Sequence, residues 1–339
     1  MKKNMNSMKY YKEVERVEPE IYYHYTSLEA LYNIIKCRTL RLTNLISSND
    51  TKELSYDSKD FIDDLKCIIS VEENENNKKI FQIFLESIEN NISKFKNNCK
   101  NFKDIYALCL SEKRDNLTHW DRYADRCKGV CIGINVNAFK VHAQRMNNLI
   151  FGGNLISNGK VIYNVDGRRK SIKSQIIGFI NNFIKNVNIP KEDILSNIEE
   201  NAYVYASAIF LNIKVFVKNS FFVDEDEVRL YHKENEVDGN LKLIDEMKRG
   251  IPPVVLSNIK KSYLKMVEDY NLNKYEYYMS KYGIRSFIEL SLKEIWGSGL
   301  ITEIILGPLC VQNIKELKKF INEYGLKGTK ISVSDVPIR

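Results

Sequence analysis

Two glutamates and an arginine alternate in the segment Glu225-Asp226-Glu227-Val228-Arg229. In a β-strand, Glu225, Glu227 and Arg229 would share one face, with the two carboxylates roughly 6 to 7 Å apart. A carboxylate pair beside an arginine can stabilise a cationic transition state and position a nucleophile. The alternative is a solvent-exposed ladder of ion pairs, in which replacing Glu227 costs at most about 1 kcal/mol.

An aromatic strand that carries one histidine is predicted over residues 21–25. Alternation places Tyr22, His24 and Thr26 on one side and the other two tyrosines on the opposite side. The Thr-Ser-Leu-Glu sequence that begins at Thr26 has the pattern of a capping box, so a helix follows. His24 therefore stands beside backbone N–H groups that favour anions. The alternative is a packed strand in which His24 hydrogen-bonds to a carbonyl group.

Trp120 and Tyr123 lie three residues apart at the end of the segment Ser111 to Tyr123, where a helix is predicted over 116–125. At this spacing the two rings share one face of the helix. They can form an aromatic wall for a planar ligand ring, or they can anchor the helix in the core.

Four acidic residues support a different chemistry. A turn over 47–50 precedes a predicted helix that Asp50 and Glu53 are expected to cap. Together with Glu225 and Glu227, these carboxylates leave open a metal-dependent nuclease, although no pair has the regular spacing of a known nuclease motif.

The seven cysteines form no disulfide framework, because their number is odd and their spacing is loose. Cys127 and Cys131 have a spacing that suits a metal ion, but a second cysteine pair and a nearby downstream histidine are missing. We therefore expect neither zinc nor a disulfide there. Cys109 and Cys131 lie in apolar alternating runs and are expected to be buried thiols.

The 339 residues, 44% of them hydrophobic, are enough to bury a sizeable core. The net charge of +7 is mild and spread along the chain, so it permits nucleotide or nucleic-acid binding without arguing for it. The N-terminus begins Met-Lys-Lys and continues with polar residues, and no apolar run approaches the roughly 20 residues of a membrane span. These features favour a cytoplasmic protein that does not contact a membrane.

The pattern of short strands and irregularly placed helices predicts a single α+β domain over 21–339, behind a polar arm over 1–20. We expect a mixed central sheet with helical insertions near 72–104, 167–212 and 238–282. No glycine-rich loop follows a strand, which excludes the Rossmann and Walker phosphate sites. The predicted strands are 21–25, 40–43, 105–111, 129–135, 160–165, 214–218, 225–231, 285–290, 301–306 and 329–333.

Several short motifs occur in an order that resembles a bacterial family known chiefly as a domain of unknown function. They are Tyr-His-Tyr-Thr-Ser, Ser-Asn-Asp-Thr-Lys-Glu, Leu-Cys-Leu-Ser-Glu, Trp-Asp-Arg-Tyr-Ala-Asp with Gly-Val-Cys-Ile-Gly, Glu-Asp-Glu-Val-Arg-Leu and Ile-Ile-Leu-Gly-Pro. The resemblance runs from Tyr22 to about Pro308.

The order of a histidine-bearing strand, a helix, a second strand and a late Glu-x-Glu strand is also similar to the ADP-ribosyltransferase-like fold. That resemblance implies NAD as the substrate, with His24 holding its ribose and Glu227 as the catalytic carboxylate. It further implies that Glu225 orients the acceptor and that Ser111 is the middle residue of the set, although the usual Ser-Thr-Ser triplet is absent. The residues expected to contact NAD are Tyr25, Thr26, Asn49, Asp50, Trp120, Tyr123 and Arg229.

The expected activity is therefore ADP-ribosyl transfer from NAD, or NAD hydrolysis, in a toxin or a phage-defence effector. The acceptor can be a nucleic acid, a protein, a small molecule or water, and the oligomeric state stays open. A non-catalytic binding or regulatory module is the third alternative. The transferase hypothesis requires His24, Ser111, Trp120 and Glu227 in one pocket, and it fails if His24 and Glu227 lie on opposite faces of the sheet.

Overall fold

The computed structural model of the chain describes residues 18–48, 50, 52–100, 104–145, 155–186, 194–234, 237–238, 241, 253–280 and 283–338. Most of the predicted polar arm over 1–20 lies outside these residues. So do residues 101–103, 187–193 and most of 239–252, which belong to the predicted helical insertions.

One open sheet organises the described part of the chain. Its strands are β1 Ile21–Thr26, β2 Thr39–Asn44, β3 Ile105–Ser111, β4 Val130–Asn135, β5 Ser157–Lys160, β6 Glu227–Lys233, β7 Tyr275–Ser280, β8 Gly283–Ser291, β9 Ile301–Leu306 and β10 Lys330–Val333. Their order is β10-β9-β4-β1-β3-β2-β8-β7, and β6 pairs with both β3 and β5. Every pair is antiparallel except β9 with β10, which is parallel, so the predicted α+β fold with a mixed sheet is confirmed.

The sheet is split between β1 and β2. One edge of β3 pairs with β6 along its whole length. The other edge meets β1 at a single pair, Tyr23 opposite Ser111, and meets β2 near its other end, where Thr43 lies opposite Ala107. Residues 108–110 of β3 therefore face a wedge-shaped gap between two diverging strands.

Ten α-helices and two 3-10 helices surround the sheet in the described chain. They are α1 Leu28–Cys37, α2 Ser58–Val71, α3 Glu75–Asn90, α4 Ile92–Lys100, α5 Leu117–Tyr123, α6 Asn137–Arg145, α7 Val165–Asn186, α8 Ile194–Phe216, α9 Pro253–Asp269 and α10 Ile314–Glu323, with the 3-10 helices Leu45–Ser47 and Ser220–Glu225. Among these, no helix combines the length and the apolar character needed to cross a membrane.

Two large hydrophobic clusters account for most of the buried apolar surface. The first packs against the sheet and includes Leu31 and Ile35 of α1 with Leu42 of β2. The second joins α2, α3, α4, α7 and α8 through Phe61, Phe210 and their neighbours. The predicted insertions near 72–104 and 167–212 therefore pack into one helical unit, although more than 60 residues of chain separate them.

Three predicted elements are wrong. Residues 214–218 do not form a strand, because the helical spacing of Ile209, Phe210 and Ile213 continues into the second cluster and carries α8 to Phe216. The strand predicted over 160–165 ends at its first residue, where β5 stops. Part of the helix predicted over 238–282 is instead strand β7.

Two predicted helix caps also differ. The side chain of Ser27, not Thr26, caps α1 by accepting a hydrogen bond from the backbone of Ala30. Asp57 caps α2 in a capping box with Asp60, so Asp50 and Glu53 do not cap that helix. The Glu53 side chain instead forms an ion pair with Arg229 of β6.

We expect Phe210→Ala to lower the free energy of unfolding by about 3 to 5 kcal/mol, because it empties a fully buried site between three other rings. Phe221→Ala is the matched control, since that ring is 88% exposed, and its effect should stay within about 0.5 kcal/mol. Urea denaturation measures both values. Equal effects would show that the second cluster contributes little to stability.

Candidate active site

A cavity of about 530 Å³ opens where the sheet is split. Its walls come from β1, β3 and β6 on one side and from β2, β7 and β8 on the other, and α1 contributes Asn33 and Ile34 at the gap. Small-molecule sites typically occupy about 300 to 1,000 Å³, so the cavity has the size of a ligand pocket.

Eight of the eleven predicted site residues line this cavity, two do not, and one is not described. Trp120 and Arg229 are fully buried behind its wall, and Asn49 lies outside the described residues. The predicted residues that line it are His24, Tyr25, Thr26, Asp50, Ser111, Tyr123, Glu225 and Glu227.

A buried chain of charges forms the wall on the β6 side. The Arg229 guanidinium donates to Glu227 Oε1 at 2.8 Å and to Glu53 Oε1 at 2.8 Å, and it also binds the carbonyl oxygen of Val215. Lys218 Nζ lies 2.6 Å from Glu227 Oε2 and 2.6 Å from Glu225 Oε2. The predicted solvent-exposed ladder is therefore wrong, because Glu227 is 3% exposed and Arg229 is 0% exposed.

These neighbours decide the ionisation of the carboxylates. Burial raises the pKa of Glu227, but the charges of Arg229 and Lys218 outweigh burial and lower it to about 2. Burial alone would lower the pKa of Lys218, whereas Glu227 and Glu225 raise it well above its usual value. Burial raises the pKa of Glu53, and Arg229 offsets part of that rise. By formal charge, the three carboxylates of Glu53, Glu225 and Glu227 against the two cations of Lys218 and Arg229 leave one negative charge in excess in the wall.

Glu225 lies outside strand β6, contrary to the prediction. It ends a 3-10 helix, and Asp226, at φ 39°, adopts a left-handed conformation that turns the chain into β6. The hydroxyl of Ser111 donates to the Glu225 carbonyl oxygen at 2.8 Å, and His119 Nε2 lies 3.1 Å from the same oxygen. Ser111 thus positions this turn, and its hydroxyl proton is engaged there.

Tyr123 also binds the Glu225 side chain, because its hydroxyl donates a hydrogen bond to Glu225 Oε1. Burial, together with the hydrogen bond to Glu225, raises the Tyr123 pKa, so the phenol stays protonated. Trp120 cannot stack on a ligand in the cavity. Its indole N–H donates to Asp115 and its ring packs edge-on against Tyr25, which is the core-anchor alternative.

His24 lies at the gap, with Nδ1 3.3 Å from the carbonyl oxygen of Cys109. Since a carbonyl only accepts, Nδ1 carries the proton. Burial lowers the pKa of His24 despite this hydrogen bond, so the ring is neutral and Nε2 can accept a hydrogen bond. The interaction matches the alternative of a histidine bound to a carbonyl group.

The faces of the sheet separate His24 from Glu227. Tyr23, Ser111 and Glu227 are cross-strand neighbours on one face, so alternation directs His24 to the other face. The requirement of one pocket for all four predicted residues is therefore not met. Trp120 lies outside the pocket, and His24 and Glu227 emerge on opposite faces, which is the outcome under which the transferase hypothesis is expected to fail. His24 and Glu227 still both line the cavity that opens at the gap between β1 and β2.

The carboxylates are not arranged for a metal ion. No group of three or more His, Cys, Asp or Glu side chains in the described chain could hold one. Glu53 and Glu227 instead share Arg229, and Asp50 accepts a hydrogen bond from the backbone N–H of Lys52. Arg229 and Lys218 thus bind carboxylates that the nuclease alternative assigns to a metal ion.

The cysteines partly follow the prediction. Cys127 and Cys131 are buried free thiols, and neither forms a disulfide. Cys109 is not buried in the core but exposed to the cavity, since the odd-numbered residues of β3 share the face of Ser111. Desolvation inside the cavity and the charge of Glu227 raise the pKa of the Cys109 thiol well above the usual value, so Cys109 is a poor nucleophile.

Lys218 and Arg41 line the cavity and were not predicted as site residues. The sequence gives no signal for Lys218, because the 3-10 helix over 220–225 is what folds it back onto Glu225. Arg41 lies in the alternating strand β2, where an exposed arginine is an ordinary surface residue.

The fold and the cavity together define an α+β protein with one split mixed sheet and a charged internal pocket. Residues 119–230 match the model of a family described as Protein of unknown function (DUF2971). The match confirms the resemblance to a domain of unknown function over the segment from α5 to β6, which contains Tyr123, Lys218, Glu225 and Glu227. No curated protein and no solved structure matches the chain.

Acid should destabilise the protein through Glu227. A folded pKa of about 2 against an unfolded value of 4.5 favours the folded state above pH 4.5, and this contribution is lost as the pH falls towards 2. The difference of about 2.5 pKa units corresponds to roughly 3 kcal/mol. We expect Glu227→Gln to flatten the pH dependence of the unfolding free energy in this range, as measured by urea denaturation at stepped pH. Replacing the exposed Glu86 by Gln should leave the slope unchanged, and equal slopes in both variants would contradict the assignment.

Proposed function

We propose that the chain cleaves the bond between nicotinamide and ribose in NAD, and that it transfers the ADP-ribosyl group to an acceptor or to water. The observation that carries the proposal is the Glu227 carboxylate, which Arg229 and Lys218 bind at the wall of a ligand-sized cavity. The bacterial cytoplasm, where NAD is available, is the proposed location, and a toxin or phage-defence effector is the proposed biological role.

The charge of the wall suits this reaction. As the C–N bond breaks, its electron pair leaves with nicotinamide and positive charge develops on the ribosyl carbon. One net negative charge in the wall, held by Arg229 and Lys218 in a buried position, stabilises that state more than the ground state. A nucleophile then bonds to the ribosyl carbon and releases its proton.

The remaining groups have roles consistent with this step. Nε2 of neutral His24 can accept a hydrogen bond from a ribose hydroxyl that reaches the gap. Tyr123, whose ring is 37% exposed, can contact a planar base. Glu225, at the turn before β6, is the proposed group that orients the acceptor, which includes nucleic acid, protein, small molecules and water.

We expect Glu227→Gln to lower the rate of nicotinamide release from NAD by about 10² to 10³, since glutamine keeps the shape of the side chain but loses its charge. Glu225→Gln should reduce labelling of the acceptor and leave NAD hydrolysis largely intact. Chromatography of nicotinamide and detection of ADP-ribosylated product measure the two activities separately.

Loss of folding must be separated from loss of chemistry, because Glu227 also neutralises Arg229. Circular dichroism at the assay pH gives the folded fraction by which each rate is corrected. Glu227→Asp keeps the charge and shortens the side chain, so it should retain more structure than Glu227→Gln. Full nicotinamide release by folded Glu227→Gln would show that Glu227 is not the catalytic carboxylate.

A second candidate is a nucleotide-binding module without turnover. It is favoured by the hydrogen bonds that occupy both carboxylates, since Lys218 and Arg229 already bind Glu227 and Lys218 and Tyr123 bind Glu225. Calorimetric binding of NAD by wild-type protein that releases no nicotinamide over hours would support this candidate and exclude the enzyme.

A further inference from the structure

A basic and aromatic surface forms the cavity wall on the β2 side. Thr43 pairs with Ala107, so the odd-numbered residues of β2 share the face of Ser111 and Glu227. Arg41 therefore emerges on the same face of the sheet as Glu227. The cavity residues on this flank include Arg41, Tyr278, Arg285 and Glu289.

The Arg41 guanidinium packs against two aromatic rings. It lies 4.2 Å from the centre of the Phe287 ring and 5.2 Å from that of Tyr278. The Arg41 side chain has no hydrogen bond or ion pair among the residues that the structure describes, so its five N–H donors are unused there. Stacking of a planar guanidinium restrains the side chain while leaving its edge open for bidentate binding of an anion.

A second arginine and one carboxylate stand beside Arg41. Arg285 lies opposite Tyr278 across the β7–β8 pair and lines the same cavity. Glu289 lies opposite Arg41 on β8 and opposes an anion, but Thr39 donates a hydrogen bond to its Oε1 at 3.3 Å. Glu276, opposite Phe287, is paired with Lys274 at 3.0 Å. The group that can bind an anion on this flank is therefore Arg41, which packs against two rings and lines the cavity.

We infer that Arg41, supported by Phe287 and Tyr278 and assisted by Arg285, binds the pyrophosphate of a dinucleotide in this cavity. The inference rests on the proposed function, because it assigns a subsite for the same ligand. The cavity then has an acidic wall at Glu227 and a basic wall at Arg41. NAD has the complementary distribution, with a cationic nicotinamide ring and an anionic pyrophosphate.

Calorimetric titration with ADP-ribose tests the subsite without requiring turnover, since ADP-ribose keeps the pyrophosphate and lacks the nicotinamide. We expect Arg41→Gln to weaken ADP-ribose binding by about tenfold or more, as for loss of one charge-assisted interaction. Arg126→Gln is the matched control, because Arg126 is exposed and does not line the cavity, and the affinity of this variant should equal that of the wild type. Raising the salt concentration should weaken binding more in the wild type than in Arg41→Gln.

The outcomes separate this inference from the proposed function. Equal affinity of wild type and folded Arg41→Gln for ADP-ribose would overturn the subsite, and so would the absence of binding to the wild type. Nicotinamide release by the wild type in either case would leave the proposed reaction standing. Arg41-dependent binding without any release of nicotinamide from NAD would support the subsite and reject the reaction.

Discussion

The site depends on the burial of Arg229. An arginine with no exposed surface must have its charge compensated, and Glu53, Glu227 and the Val215 carbonyl provide that compensation from three separate segments. These contacts tie the loop after β2 and the end of α8 to strand β6. Removing one partner would leave an uncompensated buried charge, which typically costs about 3 to 5 kcal/mol. The positions of the Glu53 and Glu227 carboxylates thus follow from the need to compensate the buried charge of Arg229.

The second constraint is the split in the sheet. Because β6 uses one whole edge of β3, β1 and β2 must share the other edge, and they diverge along it. The gap leaves the Cys109 carbonyl without a strand partner, and His24 supplies the hydrogen bond instead. The same gap joins the two faces of the sheet into one cavity. A structural defect in strand pairing therefore provides the space for a ligand.

Local patterns predicted the elements and some of the site, and tertiary contacts decided the rest. Alternation identified β3, β4 and β9, and it placed Ser111 at the end of a strand. Glu227 was predicted inside a strand over 225–231, whereas it begins β6 and pairs there with Ser111. It failed at Glu225, because the left-handed residue Asp226 interrupts the strand, and at Trp120, because its partner Asp115 is a loop residue. Lys218 could not be predicted, since its two ion pairs form only after a 3-10 helix reverses the chain.

The central claim is that Glu227 stays ionised while buried at the cavity wall. Carbon-13 NMR of the side-chain carboxyl carbons tests it directly, with the Glu227 signal assigned by its disappearance in Glu227→Gln. The buried ion pairs with Arg229 and Lys218 predict that this signal does not titrate until the pH approaches about 2. A midpoint near the ordinary value of 4.5 would contradict the account, because Glu227 would then lack the buried charges that define the site.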